Sequence, residues 1–392
     1  MAVIRRTSAT HLAGWLLLVA ILCGALAVTA FALTRGSGPV PPSRPLAVAI
    51  RDAITGPPVA GVTADISLSD HLIPGSSTTS RLGPLAGATA RVWAAGGRAR
   101  IDLNTSTANL QLAVGDGRLT VLDSRARVAY VLPLDGGAKH AGASSNADHG
   151  LPTVAQIQQV LNQVSQRMAL SGALPGDIAG RPEYTLRASP RRDGGLFGAF
   201  VLAWDAGHGI PLRFAIVPRG SSTPAIDLTV THVHFGPVAA SNLVLHMPAG
   251  TRVDDLHRPT AADLARLHSH SGPQVSGAQA VSTHLSFRLA APAAIEGLRR
   301  RSARLIGSGR HAGALLVYGR GLGAIFVLEQ PVSGRAGGPL SSLPRVSVGG
   351  VAGHELQTTL GTLIQVTRGG VTTTVVGSRP AQTIAAAVRS LT

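Results

Sequence analysis

Histidine is the residue type whose spacing comes nearest to chemistry. His232 and His234 are two apart, so on a strand they share a face, and His257, His268 and His270 follow near a possible short helix. Paired imidazoles bind zinc or copper when carboxylates or thiolates stand beside them. Here the nearby carboxylates are Asp254 and Asp255, and the single cysteine, Cys23, sits in a distant apolar run. That falls short of a ligand set, so no metal and no other cofactor is expected. No G-x-S-x-G, H-E-x-x-H, Walker loop or C-x-x-C occurs. Gly195-Leu196-Phe197-Gly198 is too apolar to cradle phosphate. With 19 carboxylates in 392 residues and no nucleophile set beside a base, an enzyme is not expected.

The other reactive surface is cationic. The net charge is +16, and Arg299, Arg300 and Arg301, with Arg304 and Arg310, form the densest basic stretch. On an alternating strand Arg299 and Arg301 face opposite Arg300, which splits the run between two faces. Nucleic-acid binding needs aromatic platforms or basic helices, and aromatics are only 3% of the chain. No nucleic-acid partner is expected. Solvated surface charge explains the arginines, and an anionic lipid surface or an acidic partner suits them too.

The elements that hold these groups begin after an apolar run. Leu12 to Leu33 is uncharged, and about 20 residues suffice to cross a bilayer as a helix. Arg5 and Arg6 precede it, so the positive-inside bias sends the C-terminus outward. Two fates are open. The run stays as a transmembrane anchor, giving a single-pass cell-membrane protein with extracytoplasmic domains. Alternatively, Ala30-Phe31-Ala32 is cut after Ala32 and the chain is secreted. Thr34 to Pro45 is Gly/Pro/Ser-rich and reads as a tether.

Strand alternation follows a short amphipathic helix candidate at Leu46–Ile54. Val62, Ala64, Ile66 and Leu68 alternate with polar residues, and the pattern recurs around Ile101, Leu112, Val121 and Leu132. Gly96-Gly97 and Asp116-Gly117 are hairpin signals, so the plan is an antiparallel meander. Residues 135–150 read as a loop. Pro152–Leu170 reads as a helix, with Val154, Ile157, Leu161, Val164 and Met168 in one stripe and Thr153 or Pro152 at its start. Strands resume at Tyr184 and continue through Phe197–Trp204, Leu212–Ile216 and Ile226–Val230. There the parity switches, so that His232 and His234 continue the apolar face, and a bulge or strand end near Val230 would explain it. Residues 261–268 read as a short helix and 271–280 as a linker. Beyond it Gly313–Tyr318 pairs with Gly323–Leu328, Leu363–Thr367 pairs with Thr372–Val376, and Pro380–Leu391 is a terminal helix with Ser378 as N-cap.

Several segments together resemble a family. Ile178-Ala179-Gly180-Arg181-Pro182-Glu183-Tyr184-Thr185-Leu186 is similar to the "G-x-x-x-Y-x-L" strand of the lipoprotein-carrier proteins. Trp204-Asp205-Ala206-Gly207-His208-Gly209-Ile210-Pro211-Leu212-Arg213 resembles their "D-x-x-T-G-x-P-L-R" hairpin, with the threonine missing and the glycine displaced. Val233-His234-Phe235-Gly236 and Met247-Pro248-Ala249-Gly250 resemble the closing "V-x-F-G … P-x-G" strand. The order of these motifs from Leu46 to Asp255 resembles actinobacterial exported proteins grouped with LolA and RseB. Leu315-Leu316-Val317-Tyr318-Gly319 and Gly369-Gly370-Val371-Thr372 extend the likeness to the C-terminal unit.

The resemblance implies an α+β fold, an antiparallel half-barrel with an inserted helical lid, plus a smaller C-terminal α+β domain. The boundaries read as a signal-anchor segment 1–35, linker 36–45, half-barrel 46–258, linker 259–280 and C-terminal domain 281–392. It also implies a non-enzymatic envelope protein that binds a lipid or lipoprotein acyl chain. The alternative is an RseB-like regulator that binds a membrane-bound anti-sigma factor and senses envelope stress. The apolar lining is expected from Val62, Ile66, Leu68, Ile101, Leu112, Val121, Leu132, Phe214 and Leu228, lidded by Ile157, Leu161 and Val164. Each of these residues equally suits a dry core.

Overall fold

A computed structural model describes residues 38–73, 87–105, 108–134, 152–192, 194–256, 275–332 and 340–391. The apolar run 12–33 with its cut site, the loop 135–150, the helix at 261–268, and His257, His268 and His270 lie outside the described residues. Among the described residues no helix is long and apolar enough to cross a membrane.

The protein is mostly β with few helices. Helix α1 (Leu46–Thr55) leads into six strands: β1 (Val62–Asp70), β2 (Ala88–Ala95), β3 (Arg98–Asn104), β4 (Asn109–Gly115), β5 (Arg118–Asp123) and β6 (Val128–Pro133). Helix α2 (Val154–Ser165) follows. Then come β7 (Met168–Leu170), β8 (Leu174–Ile178), β9 (Arg181–Pro190), β10 (Phe197–Asp205), β11 (Pro211–Pro218), β12 (Ile226–Phe235) and β13 (Arg252–Asp255). They form one curled 13-stranded half-barrel in the order β13-β6-β5-β4-β3-β2-β1-β12-β11-β10-β9-β7, with β8 also on β9. Pairing is antiparallel except at β13, which joins β6 in parallel.

Strand β2 is absent from the sequence-based plan. Its ATARVWAA run is alanine-rich, and alanine is a weak strand former, so tertiary pairing to β1 and β3 decides it. Helix α2 is shorter than expected. It starts at Thr153, whose hydroxyl accepts the Gln156 N–H while the Gln156 side chain accepts the Thr153 N–H. It ends at Ser165, because Met168–Leu170 leave the helix to pair with Pro190–Ala188.

The parity switch in β12 is a bulge. Asp65 faces His232 and Ile66 faces Val230, which leaves Thr231 as the extra residue. The extra residue returns Val233 to the buried cluster of Ala64 and Val230 and turns His232 and His234 to solvent. The histidines therefore leave the apolar face, contrary to the alternation read from sequence.

Residues 38–45, expected to be a tether, are docked where the structure describes them. The Tyr184 hydroxyl donates to the Pro42 carbonyl at 2.6 Å, and Arg44 bridges Ala173.

The second sheet has eight strands: β14 (Ala294–Ile295), β15 (Leu298–Ile306), β16 (Gly313–Tyr318), β17 (Ile325–Pro331), β18 (Arg345–Val348), β19 (Val351–Thr358), β20 (Gly361–Arg368) and β21 (Val371–Gly377). Their order is β14-β15-β16-β17-β21-β20-β19-β18. A short helix α3 (Ala278–Ser282) precedes them. Val275 and Ser276, read as linker, are bonded to Leu305 and Arg304 of β15. Helix α4 (Ala381–Arg389) closes the chain and packs Ile384, Ala387 and Val388 onto Ile325, Val327, Ile364 and Val375. Its N-cap is Pro380, and Ser378 stands outside the helix.

Candidate functional site: an apolar hollow in the half-barrel

Register places the predicted strand residues on one face. Cross-strand partners share a face, so successive rungs can be followed across the sheet. One rung runs Val62–Ala94–Ala99–Val114–Leu119–Leu132. The next runs Ala64–Val92–Ile101–Leu112–Val121–Tyr130. Ile66 follows with Ala90, Leu103 and Leu110. A further rung runs Leu186–Leu202–Phe214–Leu228–Leu68–Ala88. All nine strand residues expected to line a cavity lie on these rungs.

The rungs differ in how well they are filled. Leu68, Leu103, Leu110 and Leu112 are buried in one cluster, with Ile66, Leu132 and Leu228 packed against it. At the β2–β3 hairpin the residues are small. Ala94 faces Ala99, with Ala95, Gly96 and Gly97 at the turn. The missing side-chain volume leaves an open hollow of 450 Å³ walled by Val62, Ala99, Ile101, Leu112, Val114 and Leu119. Of the expected lining residues, Val62, Ile101 and Leu112 reach it. Sequence reading passed over Val59, Ala94, Ala99, Val114 and Leu119, and two alanines flanking a Gly-Gly turn were the available signal.

The lid expectation needs correction. Ile157, Leu161 and Val164 lie on α2, which packs on α1 and β7 rather than over the hollow. Ile157 is buried there, and Val164 is 39% exposed. The reason is local: β7 follows α2 after a two-residue turn and holds it beside β9, at the opposite end of the sheet order from β6.

Charge is sparse around the hollow. Of the described residues in its wall, Arg98 has the one titratable side chain, and it pairs with Asp116 at 2.7 Å. Apart from Arg98, the walls of the hollow among the described residues are apolar side chains and backbone, a lining suited to an apolar body. Among the described residues no three His, Cys, Asp or Glu side chains gather as a metal site would require.

The buried polar groups lie elsewhere and serve structure. Asp205 is fully buried and accepts from Arg181 Nε at 2.9 Å, from the backbone N–H of Gly207 and His208, and meets His208 Nδ1 at 2.9 Å. Burial pushes its carboxyl up, but the hydrogen bonds from Arg181 and His208 outweigh this and hold it below the usual range. Arg181 stacks over Phe235 at 4.6 Å, and the His208 ring meets the same ring at 4.7 Å. His208, the departure from the family-like hairpin pattern, is thus part of the turn's own hydrogen-bond set. Glu183 is buried with the Thr185 hydroxyl as its donor, and burial pushes it up to about 7. Glu329 of the second sheet is likewise buried and pushed up to about 7, with the Ala290 N–H on one oxygen.

No family model matches the sequence, and no curated protein sequence does. Solved structures do show likeness. The MucA/MucB complex of Pseudomonas aeruginosa is 17% identical over 88% of this chain and 94% of that one, with a TM-score of 0.40. A crystal structure of MucB with MucA(peri) is 16% identical over 87% and 94%, with a TM-score of 0.41. A putative outer membrane lipoprotein-sorting protein domain from Vibrio parahaemolyticus is 9% identical over 51% and 95%, with a TM-score of 0.22. At these identities and scores, the hollow's own geometry has to carry the functional reading.

Proposed function

We propose that the half-barrel is a non-enzymatic binding module for a lipid or lipoprotein acyl chain. The observation that carries this is the apolar hollow of 450 Å³ beside the β2–β3 hairpin, on the face that carries Val62, Ile101 and Leu112. Ligand sites of this size are common, and an acyl chain asks for apolar walls and few polar contacts. Burial gains roughly 0.8 kcal/mol per methylene, so ten methylenes would contribute about 8 kcal/mol before ordering costs. The sequence resemblance to the LolA and RseB proteins points the same way. In this reading the chain is held at the cell membrane by residues 12–33 with its domains outside the cytoplasm, or is released by cleavage after Ala32.

Native mass spectrometry of the chain purified from a membrane-containing host tests the reading. A retained lipid, displaced by a fluorescent fatty acid, is the expected result. Absence of any co-purified lipid together with no fatty-acid binding would sink it.

A second reading is a regulator that docks on a membrane-bound anti-sigma factor. The second sheet favours it, because β18 leaves one edge of that sheet unpaired among the described residues, where a partner strand could add. A pull-down with a membrane fraction separates the two: partner capture that persists after the hollow is filled supports regulation.

A further inference from the structure

The second sheet has two unlike faces. One carries Ile325, Val327, Ile364 and Val375 and is covered by α4. On the other, register aligns Val317–Phe326–Val376–Leu363–Leu356 in one continuous apolar rung across five strands. Phe326 is 42% and Val376 is 40% exposed, high values for large apolar side chains in mid-sheet. The half-barrel leaves this face open, because the hydrogen bonds between the two units fall at the sheet's end, at Thr359 and Ser378.

Charge frames the rung. The neighbouring rung begins at Arg304, passes Leu315, Leu328, Thr374, Gln365 and His354, and ends at Arg345. Arg299 sits at the same edge as Arg304, and Arg300 is turned the other way to donate to the Pro292 carbonyl. Arg299, Arg304 and Arg345 are exposed, and among the described residues none has an ion-pair partner. Residues 281–392 contain twelve arginines against three glutamates, and no lysine or aspartate. None of the glutamates is on this face. Glu296 is in the β14–β15 turn, and Glu329 and Glu355 lie on the α4 side, opposite Thr373 and Ile364.

An apolar centre with an arginine rim and no acid matches a bilayer surface with anionic headgroups. The arginines meet phosphate while Phe326 and Val376 enter the headgroup–acyl boundary. An open, groove-free sheet face suits a lipid surface better than a single helix, which needs a groove. The same chain carries the bilayer-length Leu12–Leu33 run. The geometry points to a peripheral membrane contact: the outer face of the second sheet docks on anionic phospholipid. This inference is independent of the hollow.

The test uses the full chain with Cys23→Ser and an environment-sensitive fluorophore on Val376→Cys. It is mixed with vesicles of phosphatidylcholine alone or with a third of phosphatidylglycerol. The label reports insertion at its own position, however the N-terminal segment is attached. Emission is expected to brighten about two-fold with phosphatidylglycerol only, and to fall back at raised salt. Replacing Arg304 and Arg345 by serine weakens the response about five-fold per arginine. A label on Ser221→Cys, in the half-barrel, stays dark. If Val376→Cys fails to melt cooperatively, Phe326→Cys carries the label instead. Equal emission with both vesicle types overturns the inference. A response to a polyglutamate peptide without one to the vesicles also overturns it, in favour of an acidic protein partner.

Discussion

Ser378 joins the two sheets to each other through Leu196. The Leu196 N–H donates to the Ser378 carbonyl at 2.9 Å and to its Oγ at 3.0 Å, and that hydroxyl donates to the Leu360 carbonyl at 2.7 Å. A second contact runs from the Thr359 N–H to the Leu72 carbonyl at 2.7 Å. The units therefore meet at turns through specific hydrogen bonds, with the Thr359 hydroxyl also donating to the His71 carbonyl at 3.2 Å.

Gly195 makes that junction possible. It has φ +59, and a Cβ there would collide with the Ser378 carbonyl oxygen. Gly195→Ala is expected to destabilise the junction by about 1–3 kcal/mol. Limited proteolysis checks this, with faster cutting between the units and an intact half-barrel fragment. Unchanged cutting would mean that the contact does not hold them together.

The hollow predicts its own blocking substitution. Ala99 faces Ala94 and looks into open space, so Ala99→Phe fills volume without displacing a buried side chain. Fatty-acid affinity is expected to fall at least about ten-fold, equivalent to 1.4 kcal/mol. The melting temperature should hold, because the hollow is open. Undiminished binding would place the ligand elsewhere.

Glu183 predicts a pH dependence. Its pKa rises from 4.5 to about 7 on folding, chiefly through burial. Between those values the folded state holds more protons at this group than the unfolded state, so the Glu183 contribution is fully present below pH 4.5 and is lost as pH rises through 7. Glu183→Gln removes the cost of ionising a buried carboxyl. At pH 8 it should gain roughly 1–2 kcal/mol and flatten this part of the profile. Denaturant melts at several pH values check it, and a profile identical to the parent's would show that Glu183 ionises freely.

Asp205 predicts the opposite slope. Its carboxyl is held below the usual range, so its contribution is present near neutrality and is lost as acid protonates it. Asp205→Asn leaves Arg181 without its anion and puts an amide where backbone N–H groups point. A loss of about 3 kcal/mol is expected at pH 7, read as a drop in denaturation midpoint. A change within error would mean the turn holds itself.

Local pattern explains much of what could be read in advance. Strands β1, β3 to β6, β11 and β12 alternate strongly enough to be seen residue by residue, β10 shows as a run apolar on both faces, and the β16–β17 and β20–β21 hairpins show as apolar runs around Gly-containing turns. Other features depend on partners distant in sequence. Met168 continues the helical stripe of Val164 and equally starts a strand, and Pro190 across the sheet chooses the strand. Ser378 has the chemistry of an N-cap, but its hydroxyl finds the Leu360 carbonyl and its own carbonyl finds Leu196. His232 and His234 follow the apolar parity until Thr231 is squeezed out of register opposite Asp65 and Ile66.

Side-chain alternation has a period of two, so the identity of the apolar face is written in each strand and needs no partner. From it alone come the half-barrel's inward residues, from Val62 and Ile101 to Phe214 and Leu228. Whether that face is solid or hollow is a matter of volume, and volume depends on which side chains meet across strands. Only the folded register sets Ala94 against Ala99 beside a Gly-Gly turn, and only the packing of α2 on α1 and β7 places Ile157, Leu161 and Val164 away from the opening.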